Sequence, residues 1–253
     1  MCFQLTVAGL PFTVRQQSLP DPKFQLHLCL AQMLLKITYY LDVISSWCHW
    51  SEPAWALLKS QYSGSAEFQW KIALMDSACM PKSRRQLEWF YRRSGAMVGA
   101  DHTIQSGWYD SNLEEYLAPN LVAEAAIDFG VGRNDDRVRL AIAEAGLLDG
   151  RPTSQLAEAI AAALAAMPEL DAKSLRDRAC TAEIEQRIRA TTAEFHALQA
   201  TQRPTYVLEN QIGDRVVFSG IVKLEPLVIT IEAMLADTKT QQAYDQSHEA
   251  MPS

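Results

Sequence analysis

The spacing of four β-rich segments constrains the fold of this chain more than any other feature. Two of them, KITYYLDV at 36–43 and AEFQWKIALMD at 66–76, are close neighbours in the sequence. The other two, RPTYVLEN at 203–210 and RVVFSG at 215–220, form a second pair far along the chain. Each segment is short and rich in β-branched or aromatic residues, as strands are. The sequence therefore predicts one sheet built from two halves that a long insertion separates.

The connections between these segments determine the predicted topology. A helix that begins near Cys48, with Glu52 and Pro53 in its first turn, joins the first two strands. A right-handed crossover makes those strands parallel, whereas the QIGD turn makes the last two strands an antiparallel hairpin. Residues 81–189 are helical in pattern, a helix at 182–198 leads back to the sheet, and LEPLVITIEAML forms a final helix. This order predicts an α/β, thioredoxin-like fold with a large inserted helical subdomain.

Domain boundaries follow from the same order. Residues 1–32 contain three prolines and few charges, so we interpret them either as an ill-ordered extension or as residues upstream of the native start. The remaining predicted segments are the first part of the thioredoxin-like domain at 33–80, the inserted helical subdomain at 81–181, the second part of the domain at 182–237, and a flexible tail at 238–253.

Charge and hydropathy exclude several classes of function. The chain has 253 residues and a formal net charge of -7, with acidic and basic residues mixed along most of its length. No basic stripe suits a nucleic acid backbone, and no apolar run reaches the roughly 18 residues needed to span a bilayer. No secretory signal pattern precedes the first strand. The predicted location is therefore cytoplasmic, with neither nucleic acid nor membrane as a partner.

Cysteine usage points to a reactive thiol rather than to disulfides. The five cysteines are scattered and odd in number, and none belongs to a CxxC pair, so no metal site is expected. Cys48, in ISSWCHWSEPAW, lies where the first helix is predicted to begin. Unpaired N–H groups and the helix dipole favour a thiolate there. We therefore expect the pKa of Cys48 to lie below the usual value of about 8.5, and Cys48 to be the nucleophile.

The segment SSWCHWS after a strand, with QRPTYVLEN far along the chain and a helical block between them, resembles the DsbA-like branch of the thioredoxin superfamily. That branch also contains FrnE-type proteins, 2-hydroxychromene-2-carboxylate isomerases and kappa-class glutathione transferases. The resemblance covers most of residues 33–237. It implies a cis peptide bond before Pro204, beside the reactive sulfur, and substrate binding by Arg203, Pro204 and Thr205. The backbone at Arg203 would accept a peptide or glutathione as an added strand.

The chain departs from this family in its active-site motif. Disulfide oxidases of the branch carry CxxC, whereas Cys48, His49, Trp50 and Ser51 form CxxS. A serine cannot resolve a mixed disulfide. Ser51 would either donate a hydrogen bond to the Cys48 thiolate or cap the first helical turn. His49 would stabilise the same thiolate as an imidazolium.

Three other residues are assigned to the site by their position. Cys79 follows the second strand, at the edge of the sheet where Cys48 is expected, and is a candidate resolving thiol if the two sulfurs can bridge. Trp47 and Trp50 are expected to form an apolar rim or floor of the substrate site.

The predicted insert contributes two further observations. Arg92 and Arg93, in LEWFYRRSG, belong to the region that covers the cleft in this family, so they either contact an acidic or aromatic substrate or form a solvated helix end. His102 and His196 lack a matching ligand spacing and are interpreted as structural.

Three functions remain open. The first is a DsbA-like thiol-disulfide oxidoreductase that uses the single active-site cysteine Cys48 and is linked to glutathione. The second is a glutathione-dependent isomerase or transferase, in which the residue at the Cys48 position orients the sulfur of glutathione. The third is a redox-inert peptide-binding scaffold. No tightly bound cofactor is expected, and glutathione is the candidate co-substrate. The expected partner is a disulfide or thiol substrate, either a peptide or glutathione, and a homodimer is compatible with the sequence.

Overall fold

A four-stranded sheet organises the part of the chain that the computed structural model describes, residues 34–75, 80–220 and 223–248. Its strands are β1 (Leu35–Leu41), β2 (Ala66–Ile72), β3 (Thr205–Asn210) and β4 (Arg215–Ser219), and their order across the sheet is β2-β1-β3-β4. Strand β1 pairs parallel with β2 and antiparallel with β3. Strands β3 and β4 form the predicted antiparallel hairpin. The predicted α/β thioredoxin-like fold with a helical insertion is confirmed.

Strand β1 is the central element because it is buried on both faces. Ile37, Tyr39 and Leu41 are buried on one face, and Thr38 and Tyr40 are buried on the other. Such a strand reads as a nearly continuous apolar run, which is why its position was predictable. The observed strands β1 and β2 end two and four residues before the predicted ends at 43 and 76.

Helix α1 (Ser46–Tyr62) connects β1 to β2, and the helical insertion follows β2. The helices of the insertion are α2 (Arg84–Val98), α3 (Leu117–Ala126), α4 (Arg137–Leu147), α5 (Leu156–Ala166) and α6 (Ala172–Ala179). Helix α3 packs against α4, α5 and α6. Its Val122, Ala123, Ala125 and Ala126 have no exposed surface, so it forms the core of the insertion. Helices thus occupy most of residues 81–189, the region that the sequence predicts to be helical.

Helix α7 (Ala182–Ala197) returns the chain to the sheet. One side of this helix is buried, and it consists of Ile184, Ile188, Thr191 and Phe195. The hydroxyl of Thr191 donates a hydrogen bond to the carbonyl oxygen of Ile72 at 2.7 Å. This contact fixes the helix against the end of β2.

The last helix, α8 (Glu225–His248), is longer than the sequence predicts. We expect a frayed tail after Asp237, whereas the helix continues to His248. Thr238 is fully buried, and the side chain of Gln241 donates a hydrogen bond to Asp245 one turn later at 2.7 Å. Pairs at this spacing support a helix on its polar face. Within the described residues, no helix is both long enough and apolar enough to cross a membrane.

Candidate active site

Ser45 starts helix α1 and determines where the neighbouring residues lie. Its backbone is extended, and its hydroxyl accepts a hydrogen bond from the backbone N–H of Cys48 at 3.4 Å. This is the usual arrangement of a serine that caps a helix. The prediction that the helix begins near Cys48 is therefore wrong by two residues. Glu52 and Pro53 lie in the second turn, not in the first as predicted.

Cys48 lies inside the first turn and is only 2% exposed. Burial raises the pKa of its thiol to about 12. The side chain of Ser45 and the backbone of Asp42 donate hydrogen bonds that lower this pKa, but desolvation outweighs them. The prediction of an acidic Cys48 is therefore wrong, and the group is a neutral thiol at neutral pH.

His49 is also neutral, which corrects the prediction of an imidazolium. Burial, with a smaller contribution from His102, lowers the pKa of His49 to about 4. The Nε2 atoms of His49 and His102 are 3.1 Å apart, and Nδ1 of His102 is 2.9 Å from a carboxylate oxygen of Asp101. The structure thus brings together two histidines that the sequence did not connect.

Ser51 lies beneath the site, between two tyrosines. It is fully buried, and its Oγ is 2.7 Å from the hydroxyl of Tyr206 and 3.1 Å from the hydroxyl of Tyr39. The two tyrosine rings are stacked, with centroids 4.9 Å apart. Ser51 therefore has neither of its predicted roles: Ser45 caps the helix, and among the described contacts the hydroxyl of Ser51 bonds to tyrosines and not to the sulfur of Cys48.

A cavity of about 330 Å³ opens beside the start of α1, and we refer to it as the cleft. Its walls come from Ser45 and Trp47 at the start of the helix, Met75 after β2, Phe90 in α2 and Arg203 before β3. Ser45 thus lines the cleft, whereas Cys48 is not among the described residues that line it. The serine, three residues before the cysteine, therefore lines the cleft together with Ser46 and Trp47, although it is itself only 5% exposed.

The two tryptophans of the motif have different positions. Trp47 is half-buried and lines the cleft, as predicted for an apolar rim. The indole N–H of Trp50 donates a hydrogen bond to the hydroxyl of Ser94 in α2 at 3.0 Å. Trp50 therefore joins α1 to the insertion and is not one of the cleft-lining residues.

Arg203 connects the segment before β3 to the end of β2. Its Nε donates to the carbonyl oxygen of Ala73 at 2.6 Å, and its Nη2 donates to the carbonyl oxygen of Leu74. The peptide bond between Arg203 and Pro204 is cis. Thr205 is fully buried, and its hydroxyl donates to a backbone carbonyl three residues earlier. Arg203 is the member of this predicted group that lines the cleft.

Arg93 gives the cleft a positive charge. It lies in α2 together with Phe90 and Tyr91, which also line the cavity. Its guanidinium lies 5.9 Å from the centre of the Trp89 ring, and none of the ion pairs among the described residues includes it. Arg92, the other predicted arginine, does not line this cavity. Cys79, the predicted resolving thiol, lies outside the described residues.

Asp42 and Asn120 support the cleft and were missed by the sequence analysis. The carboxylate of Asp42 accepts hydrogen bonds from the backbone N–H groups of Ile44 at 3.1 Å and Met75 at 3.0 Å, and from the side-chain amide of Asn120 at 3.2 Å. Asn120 also accepts from the N–H of Val43 at 3.1 Å. Burial raises the pKa of Asp42. An acid directly after a buried strand was the one sequence signal of this arrangement.

Comparisons with solved structures assign the fold. The chain is similar to a proposed protein disulfide isomerase from Nitrosomonas europaea (18% identity, TM-score 0.61, 83% of this chain and 98% of that chain). It is also similar to the cytosolic disulfide reductase DsbM from Pseudomonas aeruginosa (16% identity, TM-score 0.56, 83% and 99%), which has a second structure with GSH. A third similar structure is 2-hydroxychromene-2-carboxylate isomerase (12% identity, TM-score 0.54, 86% and 100%).

No protein-family model and no curated protein matches the chain. The structural similarities nevertheless extend over nearly the whole length of each of the three proteins. The chain therefore has the α/β thioredoxin-like fold of the DsbA-like proteins, with a large helical insertion.

Proposed function

We propose that this protein is a glutathione-dependent enzyme of the isomerase or transferase type, in which Ser45 faces the sulfur of bound glutathione. The observation that carries the proposal is the contrast between the two residues of the motif. Ser45 lines the cleft, whereas Cys48 is buried and its thiol has a pKa of about 12. Ser45 is also largely buried, at 5% exposed, but it lines the cleft, which makes it better placed than Cys48 to contact a substrate.

The start of α1 supplies the chemistry that such an enzyme needs. The first turn of a helix has N–H groups without partners in the helix and carries the positive end of its dipole. A thiol that binds against Ser45 would lose its proton more easily, because these N–H groups and the serine hydroxyl stabilise the thiolate. The protein's own residues would thus activate the sulfur of glutathione without forming a covalent bond to it.

The walls of the cleft support an aromatic, acidic co-substrate. Trp47, Phe90 and Tyr91 offer ring surfaces, and Arg93 offers a guanidinium that has no carboxylate partner among the described residues. A guanidinium in such a setting binds a carboxylate well. The similar structure of 2-hydroxychromene-2-carboxylate isomerase agrees with a substrate of this class.

The alternative is a thiol-disulfide oxidoreductase that uses Cys48. The shared fold with DsbM supports thiol chemistry in general, and the structure of DsbM with GSH supports glutathione as the co-substrate. However, attack by Cys48 requires a thiolate that reaches the cleft. The burial of Cys48 and its raised pKa both oppose this role. A cytoplasmic location, where glutathione is kept reduced, fits either reaction and stays a prediction.

Glutathione binding to single-residue variants tests the proposal. We expect the bound glutathione thiol to have a depressed pKa, which ultraviolet difference absorbance of the thiolate measures as a function of pH. Ser45→Ala should return this pKa to that of free glutathione or abolish binding. Cys48→Ala should leave the pKa of the bound glutathione thiol unchanged. It should change the affinity for glutathione by no more than about threefold, because Cys48 does not line the cleft.

Cys180 provides the matched control, because it is an exposed cysteine elsewhere in the chain. Cys180→Ala should leave binding unchanged. The proposal would be wrong if Cys48→Ala abolished the thiolate signal while Ser45→Ala preserved it. That result would favour the oxidoreductase.

A further inference from the structure

We propose that helix α2 of one molecule binds helix α8 of a second copy of this chain. Each of the two helices has an exposed face in which one apolar residue lies between two like charges. The basic face of α2 consists of Arg85, Trp89 and Arg92, and the acidic face of α8 consists of Glu225, Ile229 and Glu232. The two faces are therefore opposite in charge. The proposal concerns association between copies and does not depend on the proposed function.

The three residues have the same spacing on both faces. The apolar residue follows the first charged residue by four positions and precedes the second by three. Residues at these spacings lie on one side of a helix. A helix rises about 1.5 Å per residue, so the two charges of each face are about 10 Å apart along the helix axis. When the two faces meet, each arginine therefore faces one glutamate, and Trp89 packs against Ile229.

The apolar residue at the centre of each face is exposed to solvent in the single chain. Trp89 is 52% exposed, and Ile229 is 70% exposed, more than any other large apolar residue in the part of the chain that the structure describes. Isolated exposed apolar residues are common in soluble proteins. Here, however, each one lies between charges that complement those of the other face. Contact would therefore remove both side chains from water and bring opposite charges together at the same time.

The four charged residues of the two faces have no ion-pair partner among the described residues. Most of the other described arginines pair with a carboxylate. Glu232 accepts a hydrogen bond from the hydroxyl of Tyr62 at 2.7 Å, but this neutral donor leaves its charge uncompensated. The chain has a net charge of -7, so two copies repel each other over most of their surfaces. The basic face instead attracts the acidic face of a second copy.

A two-fold axis would form the contact twice, because α2 of each copy would then lie on α8 of the other. Doubling the contact helps to reach the roughly 1,200–2,000 Å² that stable interfaces bury. Phe90 and Arg93, which also belong to α2, line the cleft. The α8 helix of the second copy would therefore brace this wall of the cleft from outside.

Charge reversal in the full-length chain tests this contact. One variant carries Arg85→Glu and Arg92→Glu, and a second variant carries Glu225→Arg and Glu232→Arg. Sedimentation velocity should show a dimer of the parent chain at a concentration on the order of 0.1 mM. Each variant should be a monomer, because its two faces have the same sign. Salt on the order of 1 M, which shortens the Debye length to about 3 Å, should weaken the parent dimer by about tenfold or more.

An equimolar mixture of the two variants separates a lost contact from a lost fold. Each variant then meets faces of the opposite sign on the other, so the mixture should form a dimer, which two misfolded chains would not. The matched control is Lys173→Glu with Arg176→Glu. It changes the net charge as much as the reversal on α2 does, on an exposed part of α6, and should leave the dimer intact.

The proposal is overturned if the parent chain is a monomer at this concentration, or if a dimer survives both reversals. It is also overturned if the control dissociates the dimer as fully as the reversal on α2, or if the mixture stays monomeric while circular dichroism shows both variants folded. If a reversal variant does not fold, Arg85→Ala with Arg92→Ala replaces it and should weaken the dimer by about tenfold or more. An unchanged dimer in that variant would contradict the contact.

Discussion

The hydroxyl of Ser45 accepts a hydrogen bond from the backbone N–H of Cys48 at 3.4 Å. This bond places the serine at the open end of the first turn of α1 and the cysteine inside it. The motif at the cleft is therefore Ser45-Ser46-Trp47-Cys48: its first three residues line the cleft and the cysteine does not, although Ser45 and Cys48 are both buried. The chemistry of the cleft depends on this order.

The first prediction concerns the reactivity of Cys48. At pH 8 a thiol with a pKa of about 12 has on the order of a thousandfold less thiolate than an ordinary cysteine, whose pKa is about 8.5. We therefore expect iodoacetamide to alkylate the buried Cys48 much more slowly than the exposed Cys180. Mass spectrometry of peptides after timed quenching measures both rates in one sample. Equal rates would show that Cys48 reaches solvent.

The raised pKa of Cys48 also predicts how stability depends on pH. Between about pH 8.5 and 12 the unfolded chain loses this proton while the folded chain keeps it, so the free energy of unfolding falls as pH rises. The contribution of this one group is at most about 1.4 kcal/mol per pH unit. The free energies of unfolding of the parent chain and of Cys48→Ala, measured with urea, should therefore converge as the pH rises over this range. Parallel curves would mean that the pKa of Cys48 is not raised.

A third prediction distinguishes two descriptions of the motif: Ser45 three residues before Cys48 (SxxC), and Ser51 three residues after it (CxxS). Ser45→Cys creates a CxxC spacing with Cys48 at the start of the helix, so we expect a reducible disulfide and catalysed reduction of insulin by dithiothreitol. Ser51→Cys creates the same spacing on the other side of Cys48, but that side chain lies between Tyr39 and Tyr206. The Ser51→Cys variant should therefore keep both Cys48 and the introduced cysteine as free thiols. Thiol counts by mass spectrometry, with and without reductant, measure this; a disulfide only in Ser51→Cys would support the CxxS reading.

Much of the fold could be predicted because its signals are local. The buried strand β1 carries Ile37, Tyr39 and Leu41 on one face, and this apolar pattern is visible in eight consecutive letters of sequence. The returning helix shows its packed side in the same way, through Ile184 and Ile188. Such elements are specified by side-chain periodicity, which a single segment contains in full.

The arrangement of the site could not be predicted in the same way, because it depends on contacts between distant segments. Several serines near Cys48 could cap the helix, and the local pattern does not distinguish Ser45 from Ser51. The burial of Ser51 depends on Tyr206, far along the chain. The neutral state of His49 depends on burial and on His102. The helix-dipole argument for an acidic Cys48 failed because burial has the larger effect.

A fourth prediction concerns Asn120, which joins the insertion to the loop before α1. Its amide bonds to the Asp42 carboxylate and to the N–H of Val43. Asn120→Ala leaves both groups buried without this partner, so we expect the free energy of unfolding to fall by about 1–3 kcal/mol. Urea unfolding measures the change. Asn112→Ala is the control, because Asn112 is exposed, and should stay within about 0.5 kcal/mol. An equal effect of the two variants would contradict the proposed role of Asn120.

The last prediction concerns the buried ion pair between α1 and the insertion. Arg139 is 2% exposed, and its guanidinium donates to both carboxylate oxygens of Glu52, at 2.7 Å and 3.0 Å. Arg139→Met leaves the largely buried carboxylate of Glu52 without this partner. We therefore expect the free energy of unfolding to fall by about 3–5 kcal/mol. Adding Glu52→Gln removes the uncompensated charge and should recover part of that loss. Arg137→Met breaks an exposed pair with Asp135 and should cost at most about 1 kcal/mol. Urea denaturation of the four chains measures these differences. If the double variant were no more stable than Arg139→Met, the carboxylate of Glu52 would not be the source of the loss.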